Sequence, residues 1–336
     1  MKKLLICCFL GLICGCSFSI FFDRQLDPVH LFFGKADDET QRWLAKLRAE
    51  SDEPCYIFTG GSQVRMGCIY PKVMYDEYGV RAVNAGANAG YGLAANIAIA
   101  LEYAKPGDYL LLSLRDIRHN ESTFYTTSGN KFLFVRQGLT ALKSPIMKRD
   151  TQMVLDIARA EASSVAMYIV YRTFFPEKLD SWNKYVIIHE SGWCEQTYTK
   201  ELQAKPIQGH PHDMIMNAES KHFLTLLKNI CEQRQIKFCV FINAHYTTEA
   251  DIPYLAMTAL RLTEFGIPVL EDPSFACEPD ASNFSDSLNH LSVKGATKYS
   301  RIYANSIINN AYWSREELID ILRQHGLDEN GHPLSQ

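Results

Sequence analysis

The sequence predicts an α/β protein whose core is a parallel β-sheet. Short apolar runs recur along the chain, and longer segments with helical periodicity separate them. Strands are predicted at residues 55–59, 81–84, 109–114, 237–243 and 267–270. Helices are predicted at residues 93–104, 218–234 and 252–265. This alternation is typical of parallel sheets, because each helix returns the chain to the edge at which the next strand begins.

The composition indicates one large globular domain and disfavours nucleic acid as a partner. Of the 336 residues, 47% are hydrophobic and 21% are charged, which is ordinary for a folded domain. The formal net charge of −4 provides no basic footprint for phosphates. No Cys-x-x-Cys pair or Cys/His cluster has the spacing of a zinc site. We therefore expect no nucleic-acid partner, no metal and no other cofactor.

The N-terminal segment predicts export. Lys2 and Lys3 precede residues 4–22, an almost entirely apolar stretch. Ile13-Cys14-Gly15-Cys16 fits the lipobox of bacterial lipoproteins, in which Cys16 receives the lipid. The alternative is an uncleaved anchor, since about 20 apolar residues cross a bilayer. Both interpretations predict a protein that is tethered to the membrane and faces the periplasm or the cell exterior.

A serine follows the first predicted strand, and a histidine and an aspartate lie together far downstream. Ser62 ends the turn Gly60-Gly61-Ser62, and Asp286 precedes His290 by four positions. A serine hydroxyl becomes a good nucleophile when an imidazole accepts its proton and a carboxylate orients that imidazole. We predict Ser62, His290 and Asp286 as this set. An ordinary turn at Ser62 and a purely structural loop histidine are the alternatives.

A glycine-rich loop follows the second predicted strand. Residues 83–92 contain Gly86, Gly90 and Gly92, and such a loop exposes backbone N–H groups. In parallel sheets, ligands bind beyond the carboxyl ends of the strands. The Ser62 turn, the Gly86 loop and the region of Arg115 all follow strands, so we expect them to converge at one edge.

In these blocks the chain resembles the SGNH (GDSL-like) hydrolase family. Gly60-Gly61-Ser62 matches the nucleophile block, Gly86 matches the glycine of the second block, and Asp286 with His290 matches the last. The resemblance implies a three-layer α/β/α fold with a parallel five-stranded, flavodoxin-like sheet. It also implies an oxyanion hole made by the N–H groups of Ser62 and Gly86.

The chain departs from the family pattern at two places. Three residues separate Asp286 from His290, where two are commonest. The Gly-x-Asn-Asp block is absent after the third strand, so Asn120 or Arg115 is the candidate for the missing oxyanion donor. This pattern is similar to the membrane-linked branch with alginate O-acetyltransferases and the lipoteichoic-acid D-alanylation factor. The branch implies an esterase or O-acyltransferase that acts on acylated cell-envelope or extracellular glycans.

The rest of the chain divides into segments with separate expectations. The predicted segments are 1–22 as signal peptide or anchor, 23–53 as linker and helix, 54–313 as the SGNH-like domain, 121–217 as its insertion, and 314–336 as C-terminal helix and tail. The insertion is either a cap over the site or a surface excursion with its own small core. Ser314 and Glu317 form a capping box that begins the last helix.

Two further polar residues follow the fourth predicted strand. Asn243 and His245 are expected at the same edge as Ser62, which makes them candidate substrate contacts and makes His245 an alternative base. Loss of the third block also keeps open a function of another class. In this alternative the domain is catalytically inactive and uses the same crevice to bind glycan or to scaffold the assembly of a surface polysaccharide.

Overall fold

The structure is a computed structural model, and it describes most of the residues around the predicted sheet. The described residues are 45–46, 48–87, 89–114, 124–126, 144–146, 170, 173–174, 186–188, 194–196, 218–285 and 287–334. The predicted export segment and Cys16 lie outside them, as does most of the predicted insertion.

Five parallel strands form the central sheet of the described chain. The described strands are Tyr56–Thr59 (β1), Ala82–Asn84 (β2), Tyr109–Ser113 (β3), Val186–Ile188 (β4), Cys194–Gln196 (β5), Lys237–Phe241 (β6), His245–Tyr246 (β7), Val269–Leu270 (β8) and Cys277–Glu278 (β9). The sheet order is β2-β1-β3-β6-β8, and every neighbouring pair in it is parallel. Strands β4 and β5 pair antiparallel, and β7 pairs with β9.

The strands of the sheet alternate with α-helices. The described helices are Ser62–Arg65 (α1), Pro71–Tyr78 (α2), Gly92–Tyr103 (α3), Ala218–Gln233 (α4), Ile252–Glu264 (α5), Val293–Ile308 (α6) and Arg315–Gln324 (α7). Four 3-10 turns occur at Ala89–Tyr91, Glu249–Asp251, Pro273–Ala276 and Ala281–Asn283. None of the described helices combines the length and the apolar character that crossing a membrane requires.

The predicted α/β class and the parallel five-stranded sheet are confirmed. All five predicted strands occur, most of them one to two residues shorter than predicted. The capping box of α7 is present, with Ser314 and Glu317 bonded reciprocally. Helix α2 was not predicted, although Pro71 at its first position and Gly79 in the left-handed conformation (φ 67°) after its end are strong boundary signals.

Helices cover both faces of the sheet. Successive strand residues belong to different hydrophobic clusters, as Ile57 and Phe58 do in β1 and Leu110 and Leu111 do in β3. Because side chains alternate between the faces of a strand, the two clusters lie on opposite sides. One contains residues of α3, α4, α5 and α7, and the other contains residues of α1, α2 and α6. This arrangement is compatible with a three-layer α/β/α fold.

A buried carboxylate connects the amino ends of the two central strands. Asp108, directly before β3, accepts hydrogen bonds from the N–H of Cys55 at 2.9 Å and from the N–H of Lys105 at 2.7 Å. Asp108 also forms an ion pair, in which Arg48 Nη2 lies 2.7 Å from Asp108 Oδ2. Only 5% of the Arg48 side chain and 1% of the Asp108 side chain are exposed. Asp108 therefore holds the segment around Arg48 against the edge of the sheet at which β1 and β3 begin.

We expect Asp108→Ala to lower the free energy of unfolding by about 3–5 kcal/mol, because the buried Arg48 cation loses its only described carboxylate partner. Glu53→Ala is the matched control. Its carboxylate pairs with Arg81 at 2.5 Å but is 72% exposed, so its loss is expected to cost no more than about 1 kcal/mol. Urea unfolding with unchanged m-values measures both. Equal costs for the two variants would contradict the role assigned to Asp108.

Candidate active site

Ser62 begins the one-turn helix α1, three residues after Thr59 at the carboxyl end of β1. The N–H groups of Val64 and Arg65 both donate to Gly61 O, at 3.0 and 3.2 Å, which closes the turn. The Ser62 N–H comes before these two donors in the chain and takes no part in the bonds to Gly61 O. Ser62 is half-buried, so part of the residue is accessible to solvent.

The structure brings His290 to Ser62 although 228 residues separate them. His290 Nε2 lies 3.1 Å from Ser62 Oγ, within hydrogen-bond distance. A serine proton can pass to an imidazole at this separation. Among the described hydrogen bonds, the histidine that contacts the Ser62 hydroxyl is His290 and not His245, the alternative base.

The loop that carries His290 is fixed at both ends. The N–H and the Oγ of Ser285 donate to His290 O at 2.8 and 3.1 Å. Ser292, two residues after His290, accepts a hydrogen bond from the N–H of Gly295 at 3.3 Å and so caps helix α6. A side chain at Gly295 would lie 2.1 Å from Asn283 O, so only glycine fits there. These contacts place the imidazole at the end of a rigid helix.

The loop after β2 packs directly on the Ser62 helix. A side chain at Gly86 would lie 2.3 Å from Arg65 N and 2.8 Å from Val64 C, so the two backbones approach as only glycine permits. Asn84, the buried last residue of β2, donates from Nδ2 to Val64 O at 2.7 Å. Its Oδ1 accepts the N–H of Gly86 at 3.0 Å. The amide assigned to the oxyanion hole therefore donates to a side chain in this structure, and its proposed role stays a prediction.

Sequence reasoning missed a set of polar residues beside the pair. Gln63 follows the nucleophile, Ser113 ends β3, and Asn289 precedes His290. Gln63 accepts a hydrogen bond from Asn289 Nδ2 at 3.1 Å and donates to Ser113 Oγ at 3.1 Å. Ser113 in turn donates to Asn243 Oδ1 at 2.7 Å. The positions of Gln63 and Asn289 next to the two predicted catalytic residues were the available signal.

Asn243 and His245 lie at the predicted edge, one sheet position beyond β3. Both line a small pocket with apolar walls from Leu114, Ile242 and Leu255. Thr247 and Asp251 complete its polar side, where Thr247 Oγ1 donates to Asp251 Oδ2 at 2.6 Å. The structure therefore connects Asn243 to the Ser62 helix through Ser113 and Gln63, and it leaves His245 in the pocket.

Three predicted site residues lie outside the described residues. They are Asp286, Arg115 and Asn120. Their roles as carboxylate partner of His290 and as third oxyanion donor remain predictions.

Three buried thiols of the described chain are poor nucleophiles, and its described residues form no cluster that could hold a metal ion. Burial raises the pKa of the Cys55, Cys231 and Cys239 thiols to about 12, so these thiols stay protonated at neutral pH and are poor nucleophiles. Among the described residues, no group of three or more His, Cys, Asp or Glu side chains is placed to hold a metal ion. Ser62 is therefore the nucleophile that the described geometry favours.

Comparison with known proteins produced no match to any family model, any curated protein or any solved structure. The argument for function therefore depends on the geometry of the site.

We expect Gly86→Ala to lower the free energy of unfolding by about 3 kcal/mol or more, because the added methyl group meets backbone atoms that cannot rotate away. Gly79→Ala is the control. Gly79 has φ +67° and open space around it, so only the left-handed backbone costs energy, about 1–2 kcal/mol. Urea unfolding of both variants measures the difference. A Gly86→Ala variant as stable as Gly79→Ala would show that the two loops do not approach this closely.

Proposed function

We propose that this protein is a serine esterase or O-acyltransferase that works through an acyl-serine at Ser62. The observation that carries the proposal is the 3.1 Å separation between His290 Nε2 and Ser62 Oγ, in the crevice beyond the carboxyl ends of parallel strands. The strand order reverses between β1 and β3, and ligands of open α/β sheets bind at such a switch point. Ser62 follows the first of these two strands.

In the proposed reaction, Ser62 Oγ attacks an ester carbonyl while His290 accepts the hydroxyl proton. The carbonyl oxygen becomes an oxyanion, for which the Ser62 N–H is the available donor in the described turn. His290 then returns its proton to the departing alcohol, which leaves the acyl group on Ser62. Water completes hydrolysis, or a sugar hydroxyl completes transfer, by the same steps in reverse order. Asp286 is proposed to orient His290.

The substrate class comes from the resemblance to the SGNH family and its membrane-linked branch. The order β2-β1-β3-β6-β8 supports the family assignment, because it is the order of flavodoxin-like sheets. We accordingly propose acylated glycans of the cell envelope or the extracellular space, with Asn243 and His245 as substrate contacts. No nucleic acid and no cofactor enter the proposal.

We propose that the protein is exported, tethered to the membrane and exposed to the periplasm or the cell exterior. This proposal comes from Lys2, Lys3 and the apolar residues 4–22, with Cys16 as the lipidated residue or residues 4–22 as an uncleaved anchor.

One observation favours the catalytically inactive alternative. The Gly86 N–H donates to Asn84 Oδ1 at 3.0 Å, so the second oxyanion donor is occupied in this structure. A domain that only binds glycan, or that scaffolds assembly of a surface polysaccharide, has no need of that donor. The two functions differ in whether Ser62 reacts.

Reaction with a fluorophosphonate tests the proposal, because this reagent labels serines that a base has activated. We expect intact-mass analysis of the full-length chain in detergent to show one adduct, which Ser62→Ala abolishes. We expect His290→Ala to slow labelling by about 10²–10⁴-fold, since the general base is lost.

His222→Ala is the matched control, because it removes an exposed histidine of α4 and leaves the contact between His290 and Ser62 intact. It is expected to label like the wild type. Absence of an adduct on folded wild-type protein would contradict the enzyme and leave the binding or scaffolding function.

A further inference from the structure

Three carboxamides and two hydroxyls beside the candidate pair form one directed chain of hydrogen bonds. Ser287 Oγ donates to Asn289 Oδ1 at 2.8 Å, and Asn289 Nδ2 donates to Gln63 Oε1 at 3.1 Å. Gln63 Nε2 donates to Ser113 Oγ at 3.1 Å, and Ser113 Oγ donates to Asn243 Oδ1 at 2.7 Å. Asn289 and Gln63 each accept at the oxygen and donate at the nitrogen, so reversing Gln63 would break two bonds.

Gln63 is the centre of this chain and is bonded to both sides of the site. It belongs to the same one-turn helix as Ser62, and its partner Asn289 directly precedes His290. Its other partner, Ser113, ends β3 and is fully buried. Only 4% of Gln63 is exposed, and buried polar side chains keep the geometry that satisfies their hydrogen bonds.

We propose that Gln63 is a positioning residue that holds the His290 loop against the Ser62 helix. This inference rests on the proposed function, because what it positions is the nucleophile and its base. The bond from Asn289 sets how far the His290 loop lies from α1, and the bond to Ser113 prevents the Gln63 side chain from following that loop outward. The imidazole therefore stays within reach of Ser62 Oγ before a substrate arrives.

The chain also explains why Ser113 is a polar residue in the buried end of β3. Its neighbours Leu110, Leu111 and Leu112 are apolar, and among the described hydrogen bonds Ser113 links α1 to the Asn243 loop. Each hydrogen bond of the chain is donated in the direction of Asn243. The Asn243 nitrogen has no partner among the described hydrogen bonds, so the chain ends in a donor at the proposed substrate contact.

Three substitutions separate the outer half of the hydrogen-bond chain, formed by the bonds of Asn289, from its inner half, formed by the bonds of Ser113. Gln63→Leu removes the bonds of Gln63 to Asn289 and Ser113. Asn289→Leu removes the bonds of Asn289 to Gln63 and Ser287 and keeps those of Ser113. Ser113→Ala removes only the inner half. Gln63→Leu is compatible with folding, because Ser113 still donates to Asn243 and half-buried Asn289 has access to water. Thr258→Val is the matched control, since it deletes a buried hydroxyl that bonds Tyr254 O in α5, outside the chain.

The experiment uses the full-length chain, labelled with ¹⁵N-histidine, with two readouts at one pH. The first is the position of the His290 imidazole cross-peaks, assigned with His290→Ala. The second is the rate of fluorophosphonate labelling at Ser62. We expect Gln63→Leu and Asn289→Leu to move the His290 cross-peaks and to slow labelling by about 10–100-fold, as a small misplacement of reacting groups does. Ser113→Ala should have a smaller effect in the same direction, and Thr258→Val should match the wild type.

The cross-peaks decide the inference whether or not the wild type is labelled. Unmoved His290 cross-peaks in Gln63→Leu would overturn it. Equal effects of Gln63→Leu and Thr258→Val would also overturn it, because general loosening would then account for both. An unlabelled wild type with cross-peaks that depend on Gln63 would contradict the proposed enzyme and retain the positioning role.

Discussion

The candidate site depends on the close approach of two backbones. The loop after β2 meets the Ser62 helix so closely that a side chain at Gly86 would overlap Arg65 N. Because β1 and β2 are neighbouring parallel strands, their following loops must share the same edge of the sheet. A larger residue at Gly86 would push the Ser62 helix away from β2 and so change its distance from the His290 loop. Asn84 strengthens this contact by bonding Val64 O.

Different kinds of contact stabilise the two ends of the strands. At the amino ends, Asp108 binds the Arg48 cation and accepts a hydrogen bond from the backbone N–H of Cys55. The carboxyl edge contains neutral amides and hydroxyls, from Gln63 to Asn243. A buried ion pair costs desolvation energy but tolerates no loss of one partner. Neutral amides and hydroxyls fix the geometry of the site without the desolvation cost of a buried ion pair.

Local patterns in the sequence were sufficient for the sheet and for the Ser62–His290 pair, but not for the contacts between loops. Apolar runs such as residues 109–114 predict strands because burial requires them. Ser62 was identified because it ends a glycine turn after a predicted strand, and His290 because Asp286 lies four positions before it. The bond between Gln63 and Asn289 joins residues 226 positions apart and has no local pattern, since either amide would be ordinary on a surface. Helix α2 differs, because Pro71 and Gly79 marked its ends.

The Gly86 N–H distinguishes a prepared oxyanion hole from a binding crevice. Its acceptor, Asn84 Oδ1, is held in place because Asn84 Nδ2 is bonded to Val64 O at 2.7 Å. A developing oxyanion is a stronger acceptor than a neutral amide oxygen, and hydrogen bonds to charged groups are roughly twice as strong as neutral ones. An oxyanion can therefore displace Asn84 only by sacrificing part of the bonding that holds β2 to the Ser62 helix. The Ser62 N–H carries no such cost, so in the proposed reaction the oxyanion would be stabilised first by the amide of Ser62 itself.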